Sequence, residues 1–111
     1  MKKILLIGLT ALLFLSCEES NININQNYIG VWSNLSGNLT RTLEVQSNGK
    51  SFYDEVTRTG NTSKNLGFEG TFILKNSTLS IGFKKLTINN EPAVSNSIWY
   101  LTMDNIEYTR K

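Results

Sequence analysis

Nine carboxylates, one thiol and no histidine are the chemically active side chains of this 111-residue sequence. Without histidine, the commonest general base at neutral pH and the commonest zinc ligand are both missing. Two carboxylates could still work as an acid–base pair if both faced one substrate. Asp54 and Glu55 are neighbours in sequence, but adjacent residues of a strand point to opposite faces and cannot share a substrate. A pair assembled in space from Asp54 with Glu69 or Glu44 remains, and the same residues read equally well as the solvated face of a strand. No serine lies in a Gly-x-Ser-x-Gly elbow, and no glycine-rich loop opens a helix to hold phosphate. These residues predict no catalytic site, no metal site and no cofactor.

The single thiol, Cys17, points elsewhere. It closes an apolar run, Ile4 to Leu15, that is preceded by Lys2-Lys3 and followed by the small residue Ser16. The run falls short of the roughly 20 apolar residues that span a bilayer. A basic start, a short apolar stretch and a small-residue exit are the marks of a secretory signal. A free thiol in an exported protein would need explaining. The segment resembles a bacterial lipoprotein signal peptide. That resemblance implies removal of residues 1–16, a diacylglycerol thioether on the Cys17 sulfur and a further acyl chain such as palmitate on its new amino group. Two or more acyl chains hold a protein stably to a bilayer, whereas one does so only marginally. Glu18-Glu19 then resembles the acidic export signal of surface lipoproteins in Bacteroidota. It implies a protein lipid-anchored to the outer membrane and exposed at the cell surface; two glutamates that merely solubilise a tether are the alternative.

Charge excludes one class of partner. Loss of residues 1–16 takes Lys2 and Lys3 from the eleven basic residues and none of the nine acidic ones, so the remainder is formally neutral. No basic field remains to steer nucleic acid. The organisation expected is a lipidated cysteine and flexible tether over 17–27, then one small domain over 28–111. The tether, Glu18 to Asn27, is polar and asparagine-rich. Fully extended, it reaches up to about 35 Å. Ile22 and Ile24 alternate with asparagine in it, so an extra edge strand there is a second possibility.

From Tyr28 onward the periodicity is that of strands. Strands are expected over Ile29–Ser33, over Thr40–Gln46 with Leu43 and Val45 on one face, and over Ser51–Arg58 with Phe52 and Val56 on one face. Asn48-Gly49 predicts a type I′ hairpin between the last two. Thr59–Asn65 reads as a longer loop, and Leu66–Leu74 as the clearest strand. Lys75-Asn76-Ser77-Thr78 turns the chain, and Leu79, Ile81 and Phe83 continue an inward face. Parity flips at Lys84-Lys85, which predicts a bulge or a break. Asn89–Asn96, with the only proline, Pro92, reads as a loop, and a last hairpin turns near Met103-Asp104. The fold class expected is all-β, a small antiparallel meander of seven to eight strands curled into a barrel.

Gly30-Val31-Trp32 resembles the opening signature of lipocalins and other calycins. Leu43-Glu44-Val45, Asn48-Gly49-Lys50, Gly70-Thr71-Phe72, Asn76 to Leu79 and Leu101 to Asp104 are similar to features of lipocalin-like domains in Bacteroidota lipoproteins. The resemblance covers most of 28–111 and implies a lipocalin-like barrel. The chain is much shorter than a full lipocalin. In calycins the signature tryptophan packs near a basic residue of the last strand. Arg110 shares a face with Ile106 and Tyr108 and could therefore reach Trp32 and close the barrel's end; a solvated C-terminal arginine is the alternative.

Two functions follow. The barrel could bind a small apolar or amphipathic ligand through Phe52, Phe68, Phe72, Phe83 and Trp99. Alternatively those rings fill a narrow interior, and the domain serves as an interaction or inhibitor subunit with an envelope protein partner, using outward residues such as Tyr53 and Ile73. Lys84-Lys85, with Lys75 and Lys64, could meet anionic lipid or glycan, or could simply protect a sheet edge from aggregation.

Overall fold

The structure, a computed structural model, describes residues 24–110. The signal segment, Cys17 and residues 17–23 of the expected tether lie outside the described residues. A single 3-10 turn, Gln26–Tyr28, leads into nine strands. They are β1 (Gly30–Ser36), β2 (Leu39–Val45), β3 (Lys50–Thr59), β4 (Thr62–Thr71), β5 (Ile73–Lys75), β6 (Thr78–Ile81), β7 (Lys84–Ser95), β8 (Ile98–Met103) and β9 (Ile106–Arg110). All pair antiparallel in one sheet of order β4-β3-β2-β1-β9-β8-β7-β6-β5. The all-β meander is as expected, but there are nine strands rather than seven or eight, and the barrel is not closed.

Both departures arise at Phe72. The stretch expected as one strand breaks there into β4 and β5, which lie at opposite edges of the sheet. Because only Phe72 separates them in the chain, the sheet must curl until its edges approach at that residue. Phe72 N donates to Gly49 O at 2.7 Å. A Cβ on Gly70 would fall 2.6 Å from the Gly82 nitrogen, so the backbones touch where neither residue has a side chain. Past this contact the rest of β4 has no strand on its outer side among the described residues. The result is an open half-barrel.

Short turns drive the meander. Gly37-Asn38, Gly60-Asn61 and Gly82-Phe83 each place a positive-φ glycine first, the pattern of type II′ turns. Asn76-Ser77, Asn96-Ser97 and Asp104-Asn105 have positive φ at both residues, as type I′ requires. The expected loop over 59–65 is thus a two-residue turn followed by β4. The expected loop over 89–96 is mostly the second half of β7, whose register is irregular between Ile88 and Ala93. Pro92 sits in that irregular stretch, where no regular ladder bond is demanded of it. The break expected near Lys84 is the Gly82-Phe83 turn.

The Asn48-Gly49 hairpin forms, but not as a type I′ turn. Only Gly49 of the pair has positive φ (+91°). Gly49 N donates to Gln46 O, and Gln46 N donates to Lys50 O, each at 2.9 Å. The turn therefore holds one residue more than a type I′ loop, and Val45 pairs with Ser51 instead of Phe52. A one-residue slip exchanges the faces of a strand. Tyr53, expected outward, is consequently buried, and Phe52, expected inward, is half-exposed on the outer face.

The concave face carries the core: Trp32, Leu43, Val45, Tyr53, Leu79, Ile81, Leu86, Leu101, Met103 and Tyr108 are all essentially inaccessible. Ile24 and Tyr28 pack against it from the N-terminal side. Ile24 is buried without being in a strand, so residues 24–27 sit with the sheet rather than with a spacer.

Candidate functional site

Two places on the concave side gather functional groups. The first is built on Gly30-Val31-Trp32. Trp32 is fully buried, and its Nε1 donates to Tyr28 O at 2.9 Å, which fixes the ring against the 3-10 turn. The last strand pairs with the first through Arg110↔Trp32 and Thr109↔Ser33. Arg110 therefore lies directly over Trp32, its Cζ 4.8 Å from the ring centroid. Its other side meets Trp99, at 4.7 Å. The same guanidinium donates through Nη1 to Asn27 O (2.8 Å) and to Ile29 O. Gly30 explains how the side chain gets there: a Cβ at that position would stand 2.5 Å from Arg110 Cδ, and its φ of +136° also favours glycine. The sequence-predicted contact between Arg110 and Trp32 is thus present, with Trp99 as a second ring.

The second place lies farther along the concave face. Tyr53 (β3) and Tyr108 (β9) approach across the curl, hydroxyl to hydroxyl at 3.2 Å. Tyr53 also donates to Glu55 Oε2 at 2.9 Å. With the Tyr53 proton committed to Glu55, Tyr108 donates to Tyr53, and the chain runs Tyr108 to Tyr53 to Glu55. Burial pushes the Tyr53 hydroxyl far above the ordinary tyrosine range, reinforced by Tyr108 and by the Glu55 carboxylate. Burial also raises Tyr108, against the opposing pull of its bond to Tyr53 and of Arg41. Both therefore stay protonated at neutral pH.

Charged residues border these hydroxyls. Arg41 pairs across strands with Glu55, and its Nη1 donates to Asn34 Oδ1 at 2.9 Å. Asn34 in turn donates to Glu107 O at 3.0 Å, which ties the cluster to β9. Lys84, the first residue of β7, brings its ammonium over the rings of Tyr53 (5.3 Å) and Phe68 (5.9 Å). Arg41, Glu55, Phe68 and Lys84 are all half-buried, and Leu66 beside them is about half exposed. The arrangement offers an apolar wall, two cations and a carboxylate on one concave surface, above the buried tyrosine hydroxyls. Such a set suits binding of an amphipathic group.

The five residues predicted to line a ligand cavity do not converge. Phe72 is buried with Tyr28, ring centroids 5.4 Å apart. Trp99 is the second ring over Arg110. Phe52 is on the outer face beneath Lys50. Phe83, expected inward, is 98% exposed at the tip of the β6–β7 turn, because the turn begins one residue before it. Only Phe68 belongs to the concave cluster. Sequence reading missed Arg41, named Tyr108 only as sharing a face with Arg110, and placed Tyr53 outward, because the extra residue in the Asn48-Gly49 turn hid its true face. The carboxylates considered for catalysis, Glu44, Asp54 and Glu69, share the outer face around Phe52. Among the described residues no group of three or more His, Cys, Asp or Glu is placed to hold a metal ion. Compared with protein-family models, with curated proteins and with solved structures, the chain shows no match, so geometry and chemistry alone carry the functional reading.

Proposed function

We propose that this chain is an outer-membrane lipoprotein, anchored through Cys17, whose lipocalin-like half-barrel works by binding and not by catalysis. Its ligand is a small amphipathic molecule held at the open side of the concave face. The observation that carries this reading is the placement of the Lys84 ammonium over Tyr53 and Phe68, on the concave face that also carries the cross-strand pair Arg41 and Glu55. There, an apolar surface ends in charged groups that remain half-exposed. A headgroup would meet Lys84 and Arg41, and an apolar tail would lie on Phe68 and Leu66. The test is native mass spectrometry after exposure of the protein to an envelope lipid extract. An adduct lost on Lys84→Ala and Phe68→Ala but kept on Phe52→Ala supports the site; an adduct indifferent to all three sinks it. Incorporation of labelled palmitate, abolished by Cys17→Ser, tests the anchor.

A second reading has its own observation. Trp32, Leu43, Tyr53, Leu101 and Tyr108 fill the concave face down to its floor. A filled half-barrel fits an interaction subunit that engages an envelope protein and no small molecule. A stable protein complex from a chain that shows no small-molecule adduct would favour it.

A further inference from the structure

The three-stranded corner β5–β6–β7 differs in charge from the rest of the domain. Residues 70–90 carry Lys75, Lys84 and Lys85 and no acidic residue; the nearest carboxylates in the chain are Glu69, whose backbone abuts Gly82, and Glu91, farther along β7. Exposed apolar side chains occur at several places on the domain, but the most exposed of them, Phe83, is in this corner. Leu74, Leu79 and Leu86 form its inner row across the register, and Ile73, Ser80 and Lys85 form its outer row. Ile73 is 54% exposed, and Lys85 reaches along the same face to Ser80 Oγ at 3.5 Å. At the tip stands Phe83, 98% exposed. The type II′ turn asks for a glycine at Gly82 and makes no demand for an aromatic after it. Folding therefore does not account for a phenyl ring held out in water between a glycine and two lysines.

We infer that this corner is a membrane-contact element, in which Phe83 enters the interfacial region of an anionic bilayer while Lys75 and Lys85 meet its headgroups. The chemistry matches on both counts. An aromatic ring transfers favourably out of water into the headgroup–acyl boundary, and lysines near an anionic surface are attracted within a Debye length. A bilayer fits better than a protein partner because the feature is convex, one ring on a two-residue turn with charges behind it. Stable protein interfaces instead bury on the order of 800 Å² per partner in a complementary patch. The contact is independent of the concave site, and it would fix how the domain stands on a membrane that already holds it.

The test uses the full chain with vesicles of phosphatidylglycerol and phosphatidylcholine carrying brominated acyl chains. Two reporters are compared with the parent chain, Phe83→Trp at the tip and Leu35→Trp on the exposed β1 strand. Quenching above the parent level is expected for Phe83→Trp and not for Leu35→Trp. It should fall about five-fold or more when Lys75→Glu and Lys85→Glu are added, since each lysine near the surface counts for about that factor. Circular dichroism confirms that the strands persist in each variant. Equal quenching of the two reporters, or Phe83→Trp quenching that ignores the lysines and added salt, overturns the proposal. So does a tip that stays unquenched on vesicles and becomes protected only when an envelope protein binds. Neither result bears on the Lys84 and Phe68 adduct test.

Discussion

Arg110 and Lys84 are each a cation laid over two aromatic rings, yet they stand for opposite kinds of site. Arg110 is sandwiched between Trp32 and Trp99, and it spends its Nη1 donor on the carbonyls of Asn27 and Ile29. Its stem lies so close over Gly30 that no other residue fits beneath it. Lys84 lies over Tyr53 and Phe68, and among the described residues its ammonium meets rings and no backbone carbonyl. Arginine's planar fork suits the first role, and lysine's mobile point charge the second. A cation whose donors are consumed by the main chain holds structure together. One that faces only rings keeps capacity for something else.

The sharpest break of that comparison is Trp32→Ala. It removes the floor of the Arg110 sandwich and the Nε1 bond to Tyr28, and an aromatic-to-alanine change in a core costs about 3–5 kcal/mol. Small domains have only about 5–15 kcal/mol in total, so urea denaturation should find the midpoint of this variant sharply lowered. A loss under about 1 kcal/mol would mean that the tryptophan is not the keystone of that end.

Arg110→Ala comes next. It removes hydrogen bonds from a charged donor to one exposed and one partly buried carbonyl, a cost of about 1–2 kcal/mol after solvent takes up the exposed one, and Arg110→Lys should not restore it. A double-mutant cycle with Trp99→Ala should show a coupling of about 0.5–2 kcal/mol, the range of a partly desolvated cation–π contact. Gly30→Ala sharpens the point. It should destabilise strongly in the parent and less in the Arg110→Ala background, where the clash with the Arg110 stem is gone and only the cost of the φ of +136° remains. Additive behaviour in both experiments would disprove the sandwich.

Lys84→Ala should sit well below these, within about 1 kcal/mol of the parent in stability, while abolishing the amphipathic adduct. Should Lys84→Ala cost as much as Arg110→Ala, the distinction between a structural and a functional cation fails.

How much of this was readable beforehand depended on whether a local rule or a count of turn residues decided the outcome. Arg110 over Trp32 was legible because alternation along the last strand puts Ile106, Tyr108 and Arg110 on one face, and no bulge intervenes. The alternation in Leu66–Leu74 gave the strand but not its division, because only the meeting of the sheet edges at Phe72 breaks it. The concave cluster was hidden for a different reason. An Asn-Gly pair is the strongest two-residue hairpin signal, yet Gly49 is used instead as a bulge whose carbonyl binds Phe72. One extra residue turned Tyr53 inward and Phe52 outward. Meanwhile Asn76-Ser77, Asn96-Ser97 and Asp104-Asn105, weaker signals, form the type I′ turns. Asparagine and aspartate tolerate positive φ, so the abundance of asparagine here is partly turn chemistry.

The smallest predicted effect tests an imperfection near the Arg110 cluster. The Tyr28 hydroxyl is buried with no hydrogen-bond partner among the described residues. Its pKa is pushed up to about 12, first by burial and then by the charge of Glu91. A folded-state pKa above the unfolded value means that the native chain keeps a proton the unfolded chain releases. Its contribution is therefore intact below about pH 10 and is lost as pH rises toward 12. Tyr53 and Tyr108 are raised as well and add to the same alkaline loss. Tyr28→Phe removes one of the three. At pH 7 it should be neutral, or stabilising by up to about 1 kcal/mol, since an unpaired buried hydroxyl is removed from a ring whose packing on Phe72 is kept. Between about pH 10 and 12 its stability should fall less steeply than the parent's, by about 1.4 kcal/mol per pH unit, the value of one proton. Guanidinium denaturation across that range reads both quantities. A variant that loses stability at pH 7 and keeps the parent's alkaline slope would show that the hydroxyl is bonded and titrates like an exposed tyrosine. That end of the sheet would then owe part of its strength to Tyr28 instead of to Arg110 and its two tryptophans.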